Sequence, residues 1–519
     1  MTFLKKYIFY IFILFSIYVA IIIGETWDES YHYEIGKITF NYIFSFGQIN
    51  KDLFYREVYS PLLWMVQYFI SLIFPINYKT EVMHVINLFF ALTAAFGLKK
   101  ITKILFNSRV SEYSFVLLLF YPVFFGHMSI NSKDIFLASC HVWILYYVLK
   151  YLRHPNLIRP IVLKLKISVL LAIGTGIQLL FVGSLIPIIL LLFFDAFFFK
   201  KILKKEIIFK NFLIDFLIVF ITFYLILILF WIDTHSNIFT NPFKFISFMF
   251  SDEFKTGWSF NNLNGFYFNS TDAPINYFFL LLFFKSPEFF IFLYILFFYF
   301  FITENKKFGI RYESFNYKLT FVFFIISLPT LIIYFIPFPI YDGLRLFMWT
   351  IPYIMIPPAI FLNYLNLKKK INKFLIIAIA LIFTFYFYNF IKITPYQYTY
   401  LNLFAGNKSQ VYQRFVNDYW GASLKELIKN LKINKNTYLS ISLCGVSKKL
   451  VERLLIKNNF SNFEFNTYDN SEYVIMTNRT LKTAEHLYTI TNCFDFLKGE
   501  DQTYVKRNDV MLSTFRKIN

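Results

Sequence analysis

Long apolar runs, separated by short clusters of lysine and arginine, occupy most of the first 391 residues of the chain. The first run follows Lys5-Lys6 and continues to Gly24, and its length of about 18 residues suits one membrane-spanning helix. No small-residue cleavage site follows it, so the pattern predicts an uncleaved helix rather than a signal peptide. Further runs predict spans at 80–98, 111–126, 134–151, 167–180, 182–199, 211–231, 277–301, 318–336, 344–364 and 374–391.

The basic clusters between these runs predict which helix ends face the cytoplasm, because lysine and arginine concentrate in cytoplasmic loops. Placing every cluster inside gives about eleven spans, with the N-terminus inside and the C-terminus outside. Residues 61–74 are too short to span easily, and counting them would reverse the later loops. We therefore interpret them as interfacial or half-inserted. The clusters are 99–109, 150–166, 200–210, 306–311 and 368–373.

This topology predicts two domains. Residues 1–391 form a transmembrane domain with outer loops at 25–60 and 232–276. Within it, 167–199 must form two short helices around its glycines. Residues 392–519 form a small extracytoplasmic domain of mixed α/β content. The predicted fold class is thus an all-α polytopic membrane protein with a C-terminal α/β domain.

The C-terminal domain shows both helical and strand-like patterns. Helices are predicted at 424–430 and 447–457, and strands at 438–444, 463–468, 473–477 and 504–515. Cys444 and Cys493 both lie in this domain. They pair if the compartment is oxidising, and two unpaired buried thiols are an equally good alternative.

Composition excludes several other classes of protein. Of 519 residues, 57% are hydrophobic and 16% charged, whereas soluble domains average about 25% charged residues. A net charge of +20 would suit a nucleic-acid partner, but the basic residues lie between apolar runs, so we expect a lipid bilayer and no nucleic acid. The sequence has no phosphate-binding Gly-rich loop, nucleophile elbow or metal-binding histidine pair.

Four polar segments fall on the predicted outer side. The first contains Asp28 and Glu29, whose repulsion and desolvation predict a raised pKa for at least one of them, as suits a general base. A solvated helix boundary is the alternative. The second holds His127, Asn131, Lys133 and Asp134. Lys133 either faces a phosphate or only pairs with Asp134 at a helix N-terminus.

The third segment contains Asp342 and Arg345, and the planar fork of Arg345 suits phosphate oxygens, with interfacial snorkelling as the alternative. The fourth contains Tyr396, Asp418 and Trp420, whose aromatic neighbours fit an interfacial belt better than a sugar-stacking surface. Charges inside a bilayer cost about 2.5–3.5 kcal/mol each. A site for a lipid-borne substrate would therefore collect its charges at one edge, as these segments do.

In this order the segments resemble landmarks of the GT-C membrane glycosyltransferases, especially the dolichyl-phosphate-mannose–protein mannosyltransferase family and its bacterial relatives. Asp28-Glu29 resembles the acidic pair of their first outer loop. The resemblance extends to about residue 421, and Gln178 departs from it, since a basic residue is expected there. The other matching segments are Phe125-Gly126-His127 with Asn131-Ser132-Lys133-Asp134 ("FGH…NPKD", with serine for proline), Tyr341–Arg345 ("YDG-x-R"), Pro395–Tyr398 ("PYQY") and Asp418–Gly421 ("DYWG").

The resemblance implies inverting transfer of a sugar, expected to be a hexose, from a polyprenyl-phosphate donor to an acceptor hydroxyl on the outer face of the cytoplasmic membrane. Asp28 would be the general base, with Glu29 positioning it or the acceptor, and Lys133 and Arg345 would stabilise the leaving phosphate. No metal or other cofactor is expected. The acceptor is unknown. The remaining expected substrate-binding residues are His127, Asn131, Asp134, Asp342, Tyr396, Asp418 and Trp420.

Two other hypotheses fit the same sequence. A transporter or flippase of lipid-linked saccharides would need polar residues lining a path at mid-membrane depth, whereas the apparent helix interiors are mostly Phe, Leu and Ile. A non-catalytic assembly factor would keep the fold and bind donor without turnover.

Overall fold

The structure of the protein is a computed structural model that describes residues 2–48, 59–153, 161–202, 209–249, 251, 258–335, 339–367, 373–482 and 490–518. Parts of both predicted outer loops, parts of the predicted inner basic clusters and the end of the predicted span 318–336 lie outside the described residues. Helices dominate the chain up to residue 392, and strands dominate its C-terminal part.

The helices and strands of the described ranges follow in chain order. The helices are α1 (Thr2–Ile22), α2 (Glu29–Phe44), α3 (Leu62–Ser71), α4 (Lys79–Leu105), α5 (Ser108–Leu119), α6 (Pro122–His127), α7 (Asp134–Arg153), α8 (Ile161–Ile177), α9 (Phe181–Phe194), α10 (Phe209–Phe230), α11 (Asn241–Met249), α12 (Tyr277–Lys285), α13 (Glu288–Arg311), α14 (Phe315–Phe335), α15 (Ile351–Ile354), α16 (Ile356–Leu367), α17 (Lys373–Lys392), α18 (Leu424–Lys429), α19 (Lys448–Lys457) and α20 (Cys493–Phe496). The strands are β1 (Phe260–Leu263), β2 (Phe266–Asn269), β3 (Leu439–Cys444), β4 (Phe463–Phe465), β5 (Tyr473–Thr477), β6 (Thr480–Lys482), β7 (Ile490–Asn492), β8 (Gly499–Arg507) and β9 (Val510–Ile518).

Six helices of the described ranges are long and apolar enough to cross a membrane, or seven if the bent pair α12–α13 forms one span. The six contain α4, α7, α9, α10, α14 and α17. Residues 7–22 of α1 and the α15–α16 segment form shorter apolar helices. The helices thus have the lengths and composition of a multi-pass membrane protein. The count of about eleven spans and the sidedness stay predictions.

Prolines divide three of the predicted spans. Proline has no backbone N–H and disfavours helical geometry in the residue before it, so a long apolar run that contains one can break into two elements. The break between α12 and α13 bends the chain by 114°. The spans so divided, with the proline at each break, are 111–126 (Pro122), 277–301 (Pro287) and 344–364 (Pro352).

The first of the predicted outer loops contains α2, which packs against α3. A Cβ on Gly36 of α2 would lie 2.2 Å from the carbonyl oxygen of Trp64 in α3, so only glycine permits this contact. Helix α3 has 10 residues, too few to cross a bilayer, which agrees with the prediction that 61–74 does not span.

Helices α8 and α9 confirm the prediction of two helices within 167–199. Two glycines permit close packing where they meet. A Cβ on Gly174 would lie 2.3 Å from the Phe181 ring, and one on Gly176 would lie 2.3 Å from the carbonyl oxygen of Ser60. The connection between the two helices is therefore held against the segment that precedes α3.

The C-terminal part contains a five-stranded sheet in the order β4-β3-β5-β9-β8. Strand β3 runs parallel to β4 and β5, whereas β9 runs antiparallel to β5 and β8. The predicted single strand 504–515 is wrong, because it divides at Asn508-Asp509. Both residues have positive φ, 47° and 66°, as expected for the turn of a tight hairpin. The prediction of a small α/β unit is confirmed.

A disulfide joins Cys444 at the end of β3 to Cys493 at the start of α20. The third cysteine, Cys140, is buried in α7 as a free thiol. Of the two alternatives that the sequence left open, the structure contains the paired form.

Ion pairs and hydrogen bonds attach the C-terminal part to the helical part. Arg453 of α19 lies 2.6 Å from Glu25, and Arg507 of β8 donates to the carbonyl oxygen of Thr394. These contacts place α19 beside the segment that links α1 to α2, and β8 beside the residues that follow α17. The domain boundary at residue 391 stays a prediction.

Candidate active site

Asp28 and Arg345 form an ion pair at the end of the helical bundle. Asp28 directly precedes α2, and Arg345 lies in a short 3-10 turn before α15. Nη1 of Arg345 donates to Oδ2 of Asp28 over 3.0 Å. The side chain of Asp28 is 38% exposed, whereas that of Arg345 is 7% exposed. Within the described residues, Oδ1 of Asp28 makes no hydrogen bond, so it is free to accept one from a ligand.

The electrostatic surroundings hold Asp28 in its ionised form. Burial raises the pKa of Asp28, but the charge and hydrogen bond of Arg345 outweigh this effect, with contributions from His32 and Lys133, and the pKa lies below its ordinary value. The sequence predicted a raised pKa within the carboxylate pair. For Asp28 that prediction is wrong, because the cation that faces it comes from a distant part of the chain.

Arg345 is held by a second carboxylate and by two aromatic rings. Its Nη2 lies 3.2 Å from Oδ2 of Asp342, and its guanidinium carbon lies 4.9 Å from the ring centres of Tyr341 and Trp420. Asp342 and Gly343 have positive φ, 58° and 70°, so the chain turns sharply and brings the carboxylate back to Arg345. Two aromatic rings in contact with one guanidinium restrict its orientation.

Arg479, which no sequence motif predicted, completes this chain of charges from the C-terminal part. Its Nη1 lies 3.0 Å from Oδ1 of Asp342, and its side chain is 5% exposed. The order of contacts is thus Arg479, Asp342, Arg345, Asp28. The signal in the sequence is an arginine two positions after the strand-like run 473–477, and nothing in that signal indicates docking against residue 342.

Asn131 organises the second polar segment. Its Oδ1 accepts from the backbone N–H groups of Lys133 and Asp134, and its Nδ2 donates to Oδ2 of Asp134 over 3.1 Å. This turn begins α7 and orients both side chains. The ammonium of Lys133 lies 5.7 Å from the ring centre of Tyr59 and makes no ion pair with a described carboxylate. The alternative of a Lys133–Asp134 ion pair is therefore not seen.

Lys133 is a cation in this environment. Burial lowers the pKa of Lys133, but Tyr59, Tyr341 and Asp134 outweigh burial and raise the pKa above its ordinary value. The same lysine contributes to the low pKa of Asp28. Lys133 therefore lies in the electrostatic field of the Asp28–Arg345 pair, with its charge available to an anion.

His127 lies in the same polar region as a neutral ring. Its Nε2 lies 2.9 Å from the hydroxyl of Tyr419, and its Nδ1 lies 3.2 Å from Nδ2 of Asn131. Burial, together with Arg345 and Lys285, holds the pKa of His127 well below its usual range. A neutral histidine in this position orients its neighbours and does not add a positive charge for a phosphate.

Glu29 points away from Arg345, although it follows Asp28 directly. Its Oε2 accepts from the backbone N–H and the hydroxyl of Thr26, and its Oε1 lies 2.8 Å from Nε2 of His84 in α4. Glu29 is 2% exposed. Since α2 begins here, the two side chains diverge, and Glu29 fixes the loop that presents Asp28.

The structure places Tyr396 and Asp418 in supporting contacts. The hydroxyl of Tyr396 donates to Glu426 over 2.9 Å. Asp418 accepts from the backbone N–H groups of Ala422 and Ser423 and from the hydroxyl of Tyr398. Both carboxylate oxygens of Asp418 are thereby used within the protein. Of the three residues predicted in the fourth segment, Trp420 is the one whose ring lies against Arg345 among the contacts of the described residues.

Three buried polar atoms at this site have no hydrogen-bond partner among the described residues: Nε of Arg345, Nε1 of Trp420 and Oδ1 of Asp134. Buried polar groups in native proteins are nearly always hydrogen-bonded. Within the described residues, these two donors and one acceptor are therefore available to a polar ligand.

An apolar groove of about 130 Å³ lies beside this polar cluster. It is lined by residues near Arg345 in sequence, including Ile340, Leu346 and Phe347, and by Gln178 from the connection between α8 and α9. Gln178 stands where the resemblance calls for a basic residue. In this structure it therefore brings an amide, and no charge, to the groove.

Within the described ranges, no group of three or more His, Cys, Asp and Glu residues is arranged to hold a metal ion. The expectation of transfer without a bound metal stays a prediction.

No protein-family model matches the chain, and no curated protein sequence matches it. Among solved structures, the chain is similar to ArnT from Cupriavidus metallidurans in the apo state, with 10% identity and a TM-score of 0.48 over 98% of each chain. It is also similar to the apo oligosaccharyltransferase of Archaeoglobus fulgidus, with 12% identity and a TM-score of 0.48 over 92% of this chain and 70% of that one. ArnT bound to undecaprenyl phosphate gives 10% identity and a TM-score of 0.45 over 93% and 97% of the two chains. Since all three TM-scores lie below 0.5, these similarities establish neither the family nor the activity.

Proposed function

We propose that this protein is a membrane glycosyltransferase of the GT-C kind. It transfers a sugar, expected to be a hexose, from a polyprenyl-phosphate donor to an acceptor hydroxyl on the outer face of the cytoplasmic membrane. The observation that carries the proposal is the contact of the Asp28 carboxylate with Arg345 over 3.0 Å, beside buried polar atoms that have no hydrogen-bond partner among the described residues. The ordered motifs of the sequence agree with this assignment.

The chemistry is a single displacement with inversion. Oδ1 of Asp28 accepts the proton of the acceptor hydroxyl while that oxygen bonds to the anomeric carbon of the donor sugar. The bond between the anomeric carbon and the phosphate oxygen breaks, and the polyprenyl phosphate leaves as an anion. As in glycoside chemistry generally, positive charge develops on the sugar ring, and the ionised Asp28 favours that charge.

Arg345 and Lys133 stabilise the leaving phosphate. Arg345 has an unpaired buried Nε–H, and Lys133 has an ammonium without a carboxylate partner among the described residues. Both are fixed before the donor arrives, by aromatic rings and by the turn at Asn131. Preorganised cations of this kind stabilise developing negative charge without reorganising in the reaction.

The apolar groove beside Arg345 suits the lipid chain of the donor. Its lining by Ile340, Leu346 and Phe347 offers an apolar surface next to the cation that would bind the phosphate. A lipid phosphate combines these two chemistries in one molecule. The disulfide Cys444–Cys493 supports an oxidising compartment for the C-terminal part, as expected outside the cytoplasm.

The test is Asp28→Asn, assayed in membranes with polyprenyl-phosphate-linked sugars extracted from the source organism. We expect transfer to fall by about 10²–10⁴-fold, the usual contribution of a general base, while binding of a radiolabelled synthetic polyprenyl phosphate is kept. Asp272→Asn, at an exposed position of a predicted outer loop, is the matched control and should leave transfer unchanged. Full transfer by Asp28→Asn contradicts the proposed function of this site.

A further inference from the structure

We infer that Arg479 is a positioning residue of the active site, supplied by the C-terminal part of the chain and acting through Asp342 on Arg345. This inference rests on the proposed function. It assigns to the C-terminal part a role in the reaction. That part would determine how strongly the guanidinium of Arg345 interacts with Asp28 and with the donor phosphate.

The side chain of Arg479 contacts residues in or next to the candidate active site. Besides the Nη1 contact to Asp342, its Nη2 donates to Oδ2 of Asp342 over 3.3 Å, and its Nε donates to the carbonyl oxygen of Tyr419 over 2.8 Å. Its guanidinium carbon lies 4.4 Å from the ring centre of Trp258 and 5.5 Å from that of Trp27. Trp27 directly precedes Asp28, so Arg479 contacts both segments that form the Asp28–Arg345 pair.

The backbone of Arg479 is held in place by its surroundings. Its carbonyl oxygen accepts from the N–H of Cys493, the cysteine that is bonded to Cys444. Gly445, which follows Cys444, has φ +67° and lies against Arg479, where a Cβ would come within 2.7 Å of the arginine Cβ. The disulfide and this glycine thus surround the residue that reaches the site.

Two cations, Arg345 and Arg479, share the carboxylate of Asp342, and this sharing determines how strongly Asp342 attracts Arg345. Oδ2 of Asp342 contacts both Arg345 and Arg479. Without Arg479, the whole charge of Asp342 would act on Arg345. Arg345 would then be drawn toward Asp342 and would neutralise Asp28 and a donor phosphate less well.

Arg479 could instead serve only to attach the two parts of the chain, and Arg507 provides the matched control for that role. Arg507 also joins the C-terminal part to the helical part, through Thr394 and Glu426, and contacts the ring of Tyr396. Within the described residues, Arg507 makes no contact with Asp28, Asp342 or Arg345. A purely structural contribution would therefore appear equally in Arg507→Gln.

The experiment measures the pH dependence of kcat/KM for donor transfer by the full-length protein in membranes. In Arg479→Gln, we expect the acidic limb of the profile to move up by about one pH unit, since a cation that favours ionised Asp28 becomes less effective. The affinity for a radiolabelled synthetic polyprenyl phosphate should fall roughly tenfold. Arg479→Lys should recover most of both effects, and Arg507→Gln should leave the limb in place.

A double variant keeps the test valid if Arg479→Gln is poorly folded. In the Asp342→Asn background, the shared negative charge is absent, so Arg479→Gln should add little to the shift of the limb. The inference would be overturned if Arg479→Gln left the acidic limb of the kcat/KM profile in place. It would also be overturned if Arg479→Gln shifted that limb equally in the wild-type and Asp342→Asn backgrounds. Neither result would contradict the proposed function. If Asp28→Asn itself keeps full transfer, the proposed function fails, independently of Arg479.

Discussion

Nη1 of Arg345 lies 3.0 Å from Oδ2 of Asp28, although 317 positions separate the two residues in sequence. The pair has two opposing effects on the proposed reaction. A lower pKa makes Asp28 a weaker base, but it also ensures that the carboxylate is ionised when the acceptor arrives. The same arginine lies where a leaving phosphate needs a cation. Arg345 therefore acts on both the proposed general base, Asp28, and the leaving phosphate.

The pH profile of transfer should reflect this low pKa. A carboxylate whose pKa is lowered is still mostly ionised at the pH where an ordinary aspartate is half protonated, so half of the activity should be lost at a lower pH than for an ordinary aspartate. His127 is neutral because burial lowers its pKa, and it should add no step between about pH 5 and 8, where ordinary histidines titrate. We expect a flat kcat/KM in that range, and a histidine-like limb would contradict the assignment of Asp28 as the titrating group.

Lys133→Gln should weaken the binding of a radiolabelled synthetic polyprenyl phosphate. The ammonium has no carboxylate partner among the described residues, so its charge is available, and losing a charge-assisted hydrogen bond of about 1.5–3 kcal/mol corresponds to roughly 10- to 100-fold. Lys133→Arg should keep most of the affinity. Lys306→Gln, an exposed lysine at the predicted inner side, is the control, and an equal loss there would indicate nonspecific attraction to the lipid.

The sequence predicted the convergence of the polar segments better than the direction of single side chains. Basic clusters determine the side of each loop, so the segments of Asp28, Lys133, Arg345 and Trp420 were expected at one edge, where the structure brings them together. The orientation of Glu29 depends on how α2 begins, which composition does not determine. Arg479 depends on the docking of the C-terminal part, and no local pattern encodes that contact.

Glu29→Ala should act mainly on stability. The substitution leaves the N–H of Thr26 and Nε2 of His84 without their partner in a buried place, and an unsatisfied buried group costs about 1–3 kcal/mol. We expect a lower thermal midpoint for the protein in detergent, measured against Glu304→Ala at the predicted inner end of α13. A fall in transfer with unchanged stability would instead support the direct role that the sequence predicted for Glu29.

The protein should contain one free thiol, Cys140, and one disulfide, Cys444–Cys493. In the denatured, unreduced protein we expect thiol reagents to label Cys140 alone, and all three cysteines after reduction. The disulfide encloses a separation of 49 residues, for which the chain-entropy model gives about 4 kcal/mol of stabilisation. A replacement of both cysteines by alanine should therefore lower the thermal midpoint, and labelling of three thiols without reduction would contradict the pairing.

Gly126→Ala should disturb the site through packing alone. A Cβ at this position would lie 2.0 Å from the backbone nitrogen of Tyr398, so α6 would have to move away from the segment that follows α17. His127 is the next residue and bonds to Tyr419, so this shift would displace the polar cluster beside Arg345. Gly309→Ala is the matched control, since nothing lies within 4 Å of its added Cβ and alanine favours a helix over glycine by about 1 kcal/mol. We expect Gly126→Ala to lower both the thermal midpoint and transfer, whereas Gly309→Ala should lower neither; wild-type behaviour of Gly126→Ala would show that α6 and the Tyr398 segment are not in contact.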